Sequence, residues 1–333
     1  MLSKIKTIAV LGDGGWGTTL AIHLAKKNYR VKLWGPFPDY IREMDKTRVN
    51  IKFLSGILIP DTVMLVDRLD AALKDTQLIV LATPSQYIRG LLNNLKPFDL
   101  SKHIILSVIK GIDEVTLLTM SGLIHKELGK IPFAVLSGPT IAHEVAKGIP
   151  STAVVASKNP LIAVQLQKIF NTEHFRIYTN SDVIGVELGG SVKNVIAIAC
   201  GVCDGLGFGT NTKAAILSRG LAEMARLGKA LHAKSETFAG LTGLGDLVTT
   251  CFSVQSRNRF VGEQLGQGKS VEEITSQMHM VAEGVETVKA AYRLSRKYKI
   301  AMPITIEVFN IISKKKSPQA AVYDLMNRRV KAE

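Results

Sequence analysis

Residues 8–17 read IAVLGDGGWG, and the reading of this stretch decides the fold of the N-terminal half. Ile8 to Leu11 is a short apolar run, Gly12-x-Gly14-x-x-Gly17 follows at once, and a helical pattern continues from Thr18 to Lys27. A strand that turns through glycines at this spacing into a helix suits a dinucleotide. One glycine permits the tight turn, one lets a pyrophosphate approach the backbone, and one lets the helix pack close on the strand. The helix start adds unpaired N–H groups and the positive end of its dipole. The plainer alternative is a glycine-rich βα turn that binds nothing.

Beyond this stretch the first half alternates strand and helix. Strand candidates are Thr7–Leu11, Arg30–Trp34, Leu78–Ala82, Ile104–Ser107, Ala134–Ser137 and Thr152–Ser157. Several are continuous runs of Val, Ile and Leu, as expected where both faces of a parallel sheet are covered. Helical candidates such as Thr18–Lys27 and Ser85–Leu95 separate them. After about residue 181 helical patterns follow one another, at Asp182–Cys203, Asn211–Leu227, Val271–Met278, Glu283–Tyr298 and Ile304–Ile312, without a convincing strand. The predicted fold is α/β followed by all-α. A Rossmann-type doubly wound sheet occupies residues 1–181, and a mostly helical substrate-binding and catalytic domain occupies 182–333. The boundary falls in TNSDVIG, residues 179–185, where Ser181 or Asp182 can cap a new helix. A cleft between two such domains is the natural place for chemistry.

The chain has 333 residues, 46% hydrophobic and 21% charged, enough for two cores. The reading finds no stretch approaching the roughly 18 apolar residues that cross a bilayer. The apolar run at the N-terminus is too short for a signal peptide, so a cytoplasmic protein without an integral membrane segment is expected. Cys200 and Cys203 are spaced C-x-x-C inside an apolar helical pattern without a second pair, which favours packing over metal or redox chemistry. No metal is expected. The net charge of +14 favours anionic ligands. Nucleic acid is disfavoured, because no basic stripe is interleaved with aromatics. Lys314-Lys315-Lys316 reads as a solvated loop, with attraction to an anionic membrane surface as the minor reading.

The acidic residue that usually takes the ribose hydroxyls about 20 positions past the glycines is missing. Trp34-Gly35-Pro36-Phe37 stands there, with Asp39 late and Arg42 further on, so the residues leave NAD and NADP both open. VLATPSQ, residues 80–86, ends a strand in a turn of small residues. SVIKGI places Lys110 at the carboxyl end of the sheet, as a ligand contact or a solvated loop lysine. LSGPTIAHEVAKG places Gly138 and Thr140 at another strand end, with His143 and Glu144 read as surface or capping residues. In ELGGSVKNVIAIACGV, residues 187–202, Lys193 sits in an otherwise apolar helix, where an ammonium needs a partner. GLTGLGDLVTTC carries Asp246 and Thr250 four apart, on one helical face. SRNRF follows, and Ser256, Arg257 and Asn258 suit an anionic oxygen group such as phosphate, or a helix cap with surface charge.

Taken together, GDGGWGTTLA, KGI, LSGPTIAHEVAKGIP, ELGGSVKNVIAIA, GLTGLGDLVTTC, QSRNRF and VAEGVET resemble the NAD(P)-dependent glycerol-3-phosphate dehydrogenases nearly end to end. The bacterial branch, which feeds phospholipid synthesis, is the most similar. The resemblance implies reversible reduction of dihydroxyacetone phosphate to sn-glycerol 3-phosphate, with NAD or NADP as cofactor, a small phosphorylated three-carbon substrate and a homodimer. It makes Lys193 the proton-transferring residue, with Asn194 beside it, and Thr250 part of the same network. Lys110 contacts both cofactor and substrate. Gly138, Thr140, Asp246, Ser256, Arg257 and Asn258 match substrate contacts. Gly12, Gly14, Gly15, Trp16, Gly17, Ala142, Arg257, Val281 and Glu283 match the cofactor side. Two departures stand out. The family often has Ser where Gly15 stands, and many bacterial members carry a basic residue where Gly35-Pro36-Phe37 stands here, which weakens an NADP preference. Two other readings compete: a related two-domain dehydrogenase acting on a 3-hydroxy acid or 6-phosphogluconate, and a nicotinamide-sensing binding module without catalysis.

Overall fold

β1 (Thr7–Leu11) is buried along its whole length, as a continuous apolar run must be when helices cover both faces of a parallel sheet. The computed structural model describes residues 5–278 and 280–330. Around β1 run β2 (Arg30–Trp34), β3 (Val63–Val66), β4 (Leu78–Leu81) and β5 (Ile104–Ser107). β6 (Phe133–Ser137), β7 (Ser151–Ala156) and β8 (Phe175–Asn180) complete one sheet in the order β3-β2-β1-β4-β5-β6-β7-β8. All pairings are parallel except β6 with β7. The order reverses on either side of β1, which is the switch point where ligands bind in doubly wound sheets.

The helices of the first half are α1 (Gly15–Lys26), α2 (Pro38–Thr47), α3 (Leu69–Leu73) and α4 (Ile88–Leu95). α5 (Met120–Leu128), α6 (Ala142–Ala146) and α7 (Pro160–Phe170) follow. The second half contains α8 (Val183–Gly205), α9 (Thr210–Ala230), α10 (Ser235–Ala239), α11 (Asp246–Phe252) and α12 (Arg257–Gly266). It ends with α13 (Val271–Ser276), α14 (Gly284–Lys297), α15 (Pro303–Ile312) and α16 (Pro318–Met326). Among the described residues every named strand ends by Asn180.

Two strands escape the sequence reading. β3 and β8 lie at the two edges of the sheet, and β8 alternates buried and exposed positions. A strand with one solvated side lacks the continuous apolar run that marks its interior neighbours. α1 begins at Gly15 rather than near Thr18, and the expected helix at Ser85 opens as a 3₁₀ turn before α4.

Chain contacts divide the protein into two units, Met1–Lys110 with Thr119–Glu187, and Gly111–Leu118 with Leu188–Glu333. In the first unit the sheet is the core, with Leu20, Leu24, Val80, Leu106 and Leu136 fully or almost fully buried. The second unit is organised on α8, which is buried without a break from Gly185 to Cys203. Asp182 caps its start, Oδ1 accepting from Gly185 N at 2.9 Å. The expectation that no segment reaches membrane-spanning length is overturned here. α8 is long and apolar enough by length and composition, because its Val, Ile, Leu, Ala and Cys side chains outweigh Glu187 and Lys193, yet nearly all of it is buried within the fold.

α8 and α12 pack through small residues. A Cβ added at Gly201 would lie 2.0 Å from Arg259 O, and one at Gly262 would lie 2.0 Å from Ile198 O. Gly205 and Gly266 meet one turn on, with an added Cβ within 2.9 Å of the other's Cα in both directions. Glycine four residues apart on both helices lets the backbones touch, which fixes where the first turn of α12 stands relative to Lys193. Cys200 and Cys203 are buried packing residues of α8, and burial pushes the Cys203 thiol up to about 12. In the lysine run at 314–316, Lys314 and Lys315 are exposed as expected, while Lys316 is half-buried and bridges Glu307 and Asp324.

Candidate active site

The first unit holds a cradle made mostly of backbone. Gly12 adopts φ 130°, and its N–H donates to Trp34 O at 2.8 Å, tying the loop to the end of β2. A Cβ at Gly17 would stand 1.9 Å from Gly12 O, so helix and loop close on each other only with glycine there. Asn50, fully buried, donates to Asp13 O and Thr18 Oγ1, both at 2.7 Å, and accepts from Tyr40 Oη at 2.7 Å. Thr19 Oγ1 donates to Ala142 O at 3.1 Å, which joins the start of α6 to α1 and sets Ala142 beside Gly15. The first turn of α1 contains no acidic residue. Its N–H groups and the open space above Gly14 fit a dinucleotide's pyrophosphate.

At the ends of β5 and β6 a second group forms. Lys110 Nζ donates to Gly138 O at 3.0 Å, and Thr140 Oγ1 donates to the same carbonyl at 3.1 Å. Lys110 is therefore half-buried and anchored, not a solvated loop lysine.

The second unit answers the question of the buried ammonium. Lys193 Nζ donates to Asp246 Oδ1 and to Thr250 Oγ1, each at 2.5 Å, and all three side chains are buried. Thr250 Oγ1 donates onward to Asp246 O at 2.7 Å. A single π-helical turn, Leu241–Gly245, precedes α11 and delivers Asp246 at its first position. The neighbouring Asn194 accepts from Asn258 Nδ2 at 2.9 Å, and Asn258 Oδ1 accepts from Gly284 N at 2.9 Å. Ser256 caps α12, accepting from Arg259 N at 3.2 Å, and Arg257 stands exposed in its first turn. Arg259, half-buried, is spent on Asp204 at 2.6 Å. Of the residues with an implied cofactor role, Val281 and Glu283 lie here on the approach to α14 and Arg257 at the first position of α12, while Gly12 to Gly17, Lys110 and Ala142 lie in the first unit.

Residues 7–163 match the model for the N-terminus of NAD-dependent glycerol-3-phosphate dehydrogenase, and residues 182–323 match the model for its C-terminus. The chain belongs to the NAD-dependent glycerol-3-phosphate dehydrogenase family. It is 47% identical over 329 residues to the glycerol-3-phosphate dehydrogenase (NAD(P)+) of Citrifermentans bemidjiense, covering 98% of both chains. The crystal structure of the glycerol-3-phosphate dehydrogenase of Coxiella burnetii superposes with a TM-score of 0.94 at 39% identity, over 97% of this chain and 99% of that one. The enzyme of Saccharomyces cerevisiae gives 0.83 at 28% identity, over 98% and 100%.

The resemblance sets serine against glycine at position 15. Here a Cβ at that position would come within 2.5 Å of Phe53 O, so this chain's 50–54 turn leaves room for glycine alone. Sequence reasoning missed Asn50 and Glu187. Glu187 is fully buried and accepts from Ser121 N and Ser121 Oγ, both at 2.6 Å, so its carboxylate closes the N-terminus of α5. Burial pushes its carboxyl up to about 7, against the pull of the Ser121 and Thr119 donors. Its place in the same apolar helix as Lys193 was the available signal, since a buried carboxylate needs donors as much as a buried ammonium needs an acceptor.

Proposed function

We propose that this chain catalyses reversible, NAD(P)H-dependent reduction of dihydroxyacetone phosphate to sn-glycerol 3-phosphate, with Lys193 as the residue that moves the proton. The buried ammonium of Lys193, held by Asp246 and Thr250, carries this reading. When bound in the glycine cradle, a nicotinamide cofactor supplies the hydride that the carbonyl carbon receives. Lys193 Nζ gives a proton to the oxygen that develops negative charge, and water restores the ammonium afterwards. In the oxidative direction the neutral amine accepts that proton.

Asp246 and Thr250 fix the lysine's rotamer, which sets the direction in which its ammonium is presented to substrate. Lys110, held by Gly138 O, adds positive charge where the carbonyl oxygen is polarised. Arg257, Ser256 and Asn258 at the first turn of the ten-residue α12 suit the phosphate: a planar guanidinium, a helix N-terminus and an amide fixed by Asn194. Binding at the phosphate, remote from the reacting carbon, orients that carbon. The family resemblance supports a cofactor role for Arg257, Val281 and Glu283. The family resemblance also supports a cytoplasmic homodimer whose product enters glycerophospholipid synthesis.

The deciding assay follows loss of reduced-nicotinamide absorbance with dihydroxyacetone phosphate, run with NADH and NADPH. Turnover supports the reading. Turnover of a 3-hydroxy acid or 6-phosphogluconate instead, or cofactor binding without turnover of any of them, would overturn it.

A further inference from the structure

The glycine loop carries a carboxylate that the proposed reaction does not use. Asp13 is only 6% exposed, and its Oδ2 is buried and accepts no hydrogen bond among the described residues. The side chain reaches the carboxyl end of β2, where a Cβ added at Gly35 would lie 2.3 Å from Asp13 Cγ and 2.4 Å from Oδ2. Gly35 thus leaves the volume that Asp13 fills. This end of β2 is where doubly wound sheets usually place the acidic residue that receives the ribose hydroxyls. Gly35-Pro36-Phe37 supplies none.

We infer that Asp13 takes the role of that missing acid: its carboxylate accepts the adenosine-ribose hydroxyls of the cofactor and makes the chain select NAD(H) over NADP(H). The inference rests on dinucleotide binding at the glycine cradle, as proposed above.

The loop holds Asp13 firmly in place. Asn50 Nδ2 and Thr18 Oγ1 both donate to its carbonyl, at 2.7 and 3.3 Å, and Gly12 N is bonded to Trp34 O. Burial raises the carboxyl above the ordinary aspartate range, while its own backbone N–H and the charge of Lys52 pull it down. A carboxylate in that setting is short of donors. A vicinal diol offers two. A 2′-phosphate offers none and brings like charge into a buried place, so the same group that welcomes one cofactor rejects the other. The cations nearby do not reverse this. Arg42 is committed to Asp39 and Asp67, both at 2.6 Å, and Lys52 is exposed, over the Tyr40 ring at 4.3 Å from its centroid.

The test is fluorescence titration of NADH and NADPH, without substrate, on the wild-type chain and on Asp13→Asn. The wild type should bind NADH about tenfold or more tightly than NADPH, and D13N should narrow that ratio about tenfold at an unchanged melting temperature. Should D13N fail to fold, wild-type binding of 2′-deoxy-NADH decides instead, and a loss of about tenfold against NADH is expected. An unchanged ratio in D13N, a wild-type preference for NADPH, or full affinity for the 2′-deoxy cofactor would overturn the assignment. Failure of both NADH and NADPH to bind would instead overturn the dinucleotide reading beneath it.

Discussion

The two units build their sites from different materials. In the first, the cradle is mostly main chain: Gly12 N on Trp34 O and the close pass of Gly17 under Gly12 O. In the second, the cluster is side chain on side chain: Lys193 on Asp246 and Thr250, and Asn258 on Asn194. A backbone-built site is broken by adding atoms, because its precision lies in what is absent. A side-chain-built site is broken by removing them, because each group left behind is buried without its partner.

The largest effect should come from the second kind. Lys193→Ala should lower turnover about 10³-fold, the worth of a positioned proton donor, while NADH affinity stays as in the wild type. Fluorescence titration beside the turnover assay separates the two quantities. Near-normal turnover would mean that the buried ion pair is structural and that another group moves the proton. Some loss of stability is also expected, since Asp246 keeps its burial and loses its cation.

Next in size is the first kind of break. Gly17→Ala puts a methyl 1.9 Å from Gly12 O and 3.1 Å from the Ala82 side chain, where backbone has to move. Overpacking of this sort costs about 3 kcal/mol, and it should lower the melting temperature and cofactor affinity together. Unchanged stability in this variant would show that the loop yields, and the distinction between the two sites would fail.

How much of this was legible follows the same division. Glycine spacing after an apolar strand read correctly as a strand–turn–helix because backbone demands leave local marks. Asp246 and Thr250 could be paired from spacing alone, since one helical turn separates them. Lys193 could be marked as anomalous, but its partner lies 53 residues away, and only the packing of α8 brings the two together. The same holds for Asn194 with Asn258, at a separation of 64. β3 and β8 escaped because edge strands carry half the apolar signal. Asp13 passed as an unspecified position of the glycine motif, because nothing local says that Gly35 has made room for a carboxylate.

Glu187 sharpens the rule about buried side chains through pH. Its carboxyl stands at about 7 in the fold against 4.5 as the ordinary value, with burial the cause. A raised carboxyl means the folded state holds more protons than the unfolded chain between those values, so its contribution to stability is greatest at low pH and is lost as pH rises through about 7. Relative to Glu187→Gln, the wild type should lose about 3 kcal/mol between the lower and upper ends of that window. Urea unfolding of both proteins across it gives the difference directly. A gap independent of pH would mean that the Ser121 donors hold the carboxylate charged throughout.

The smallest expected change tests the backbone site most finely. Gly14, unlike Gly17, has ordinary extended dihedrals, φ −66° and ψ 173°, and a Cβ added there meets nothing within 4 Å. The fold gives no reason for glycine at this position, so Gly14→Ala should leave the melting temperature unchanged. If the open space above Gly14 is where the pyrophosphate lies against the backbone, the same methyl should weaken NADH binding, by about tenfold. Stability and affinity, which fall together in Gly17→Ala, then separate in Gly14→Ala. A variant that binds NADH as the wild type does would move the pyrophosphate away from Gly14 and leave the first turn of α1 to hold it alone.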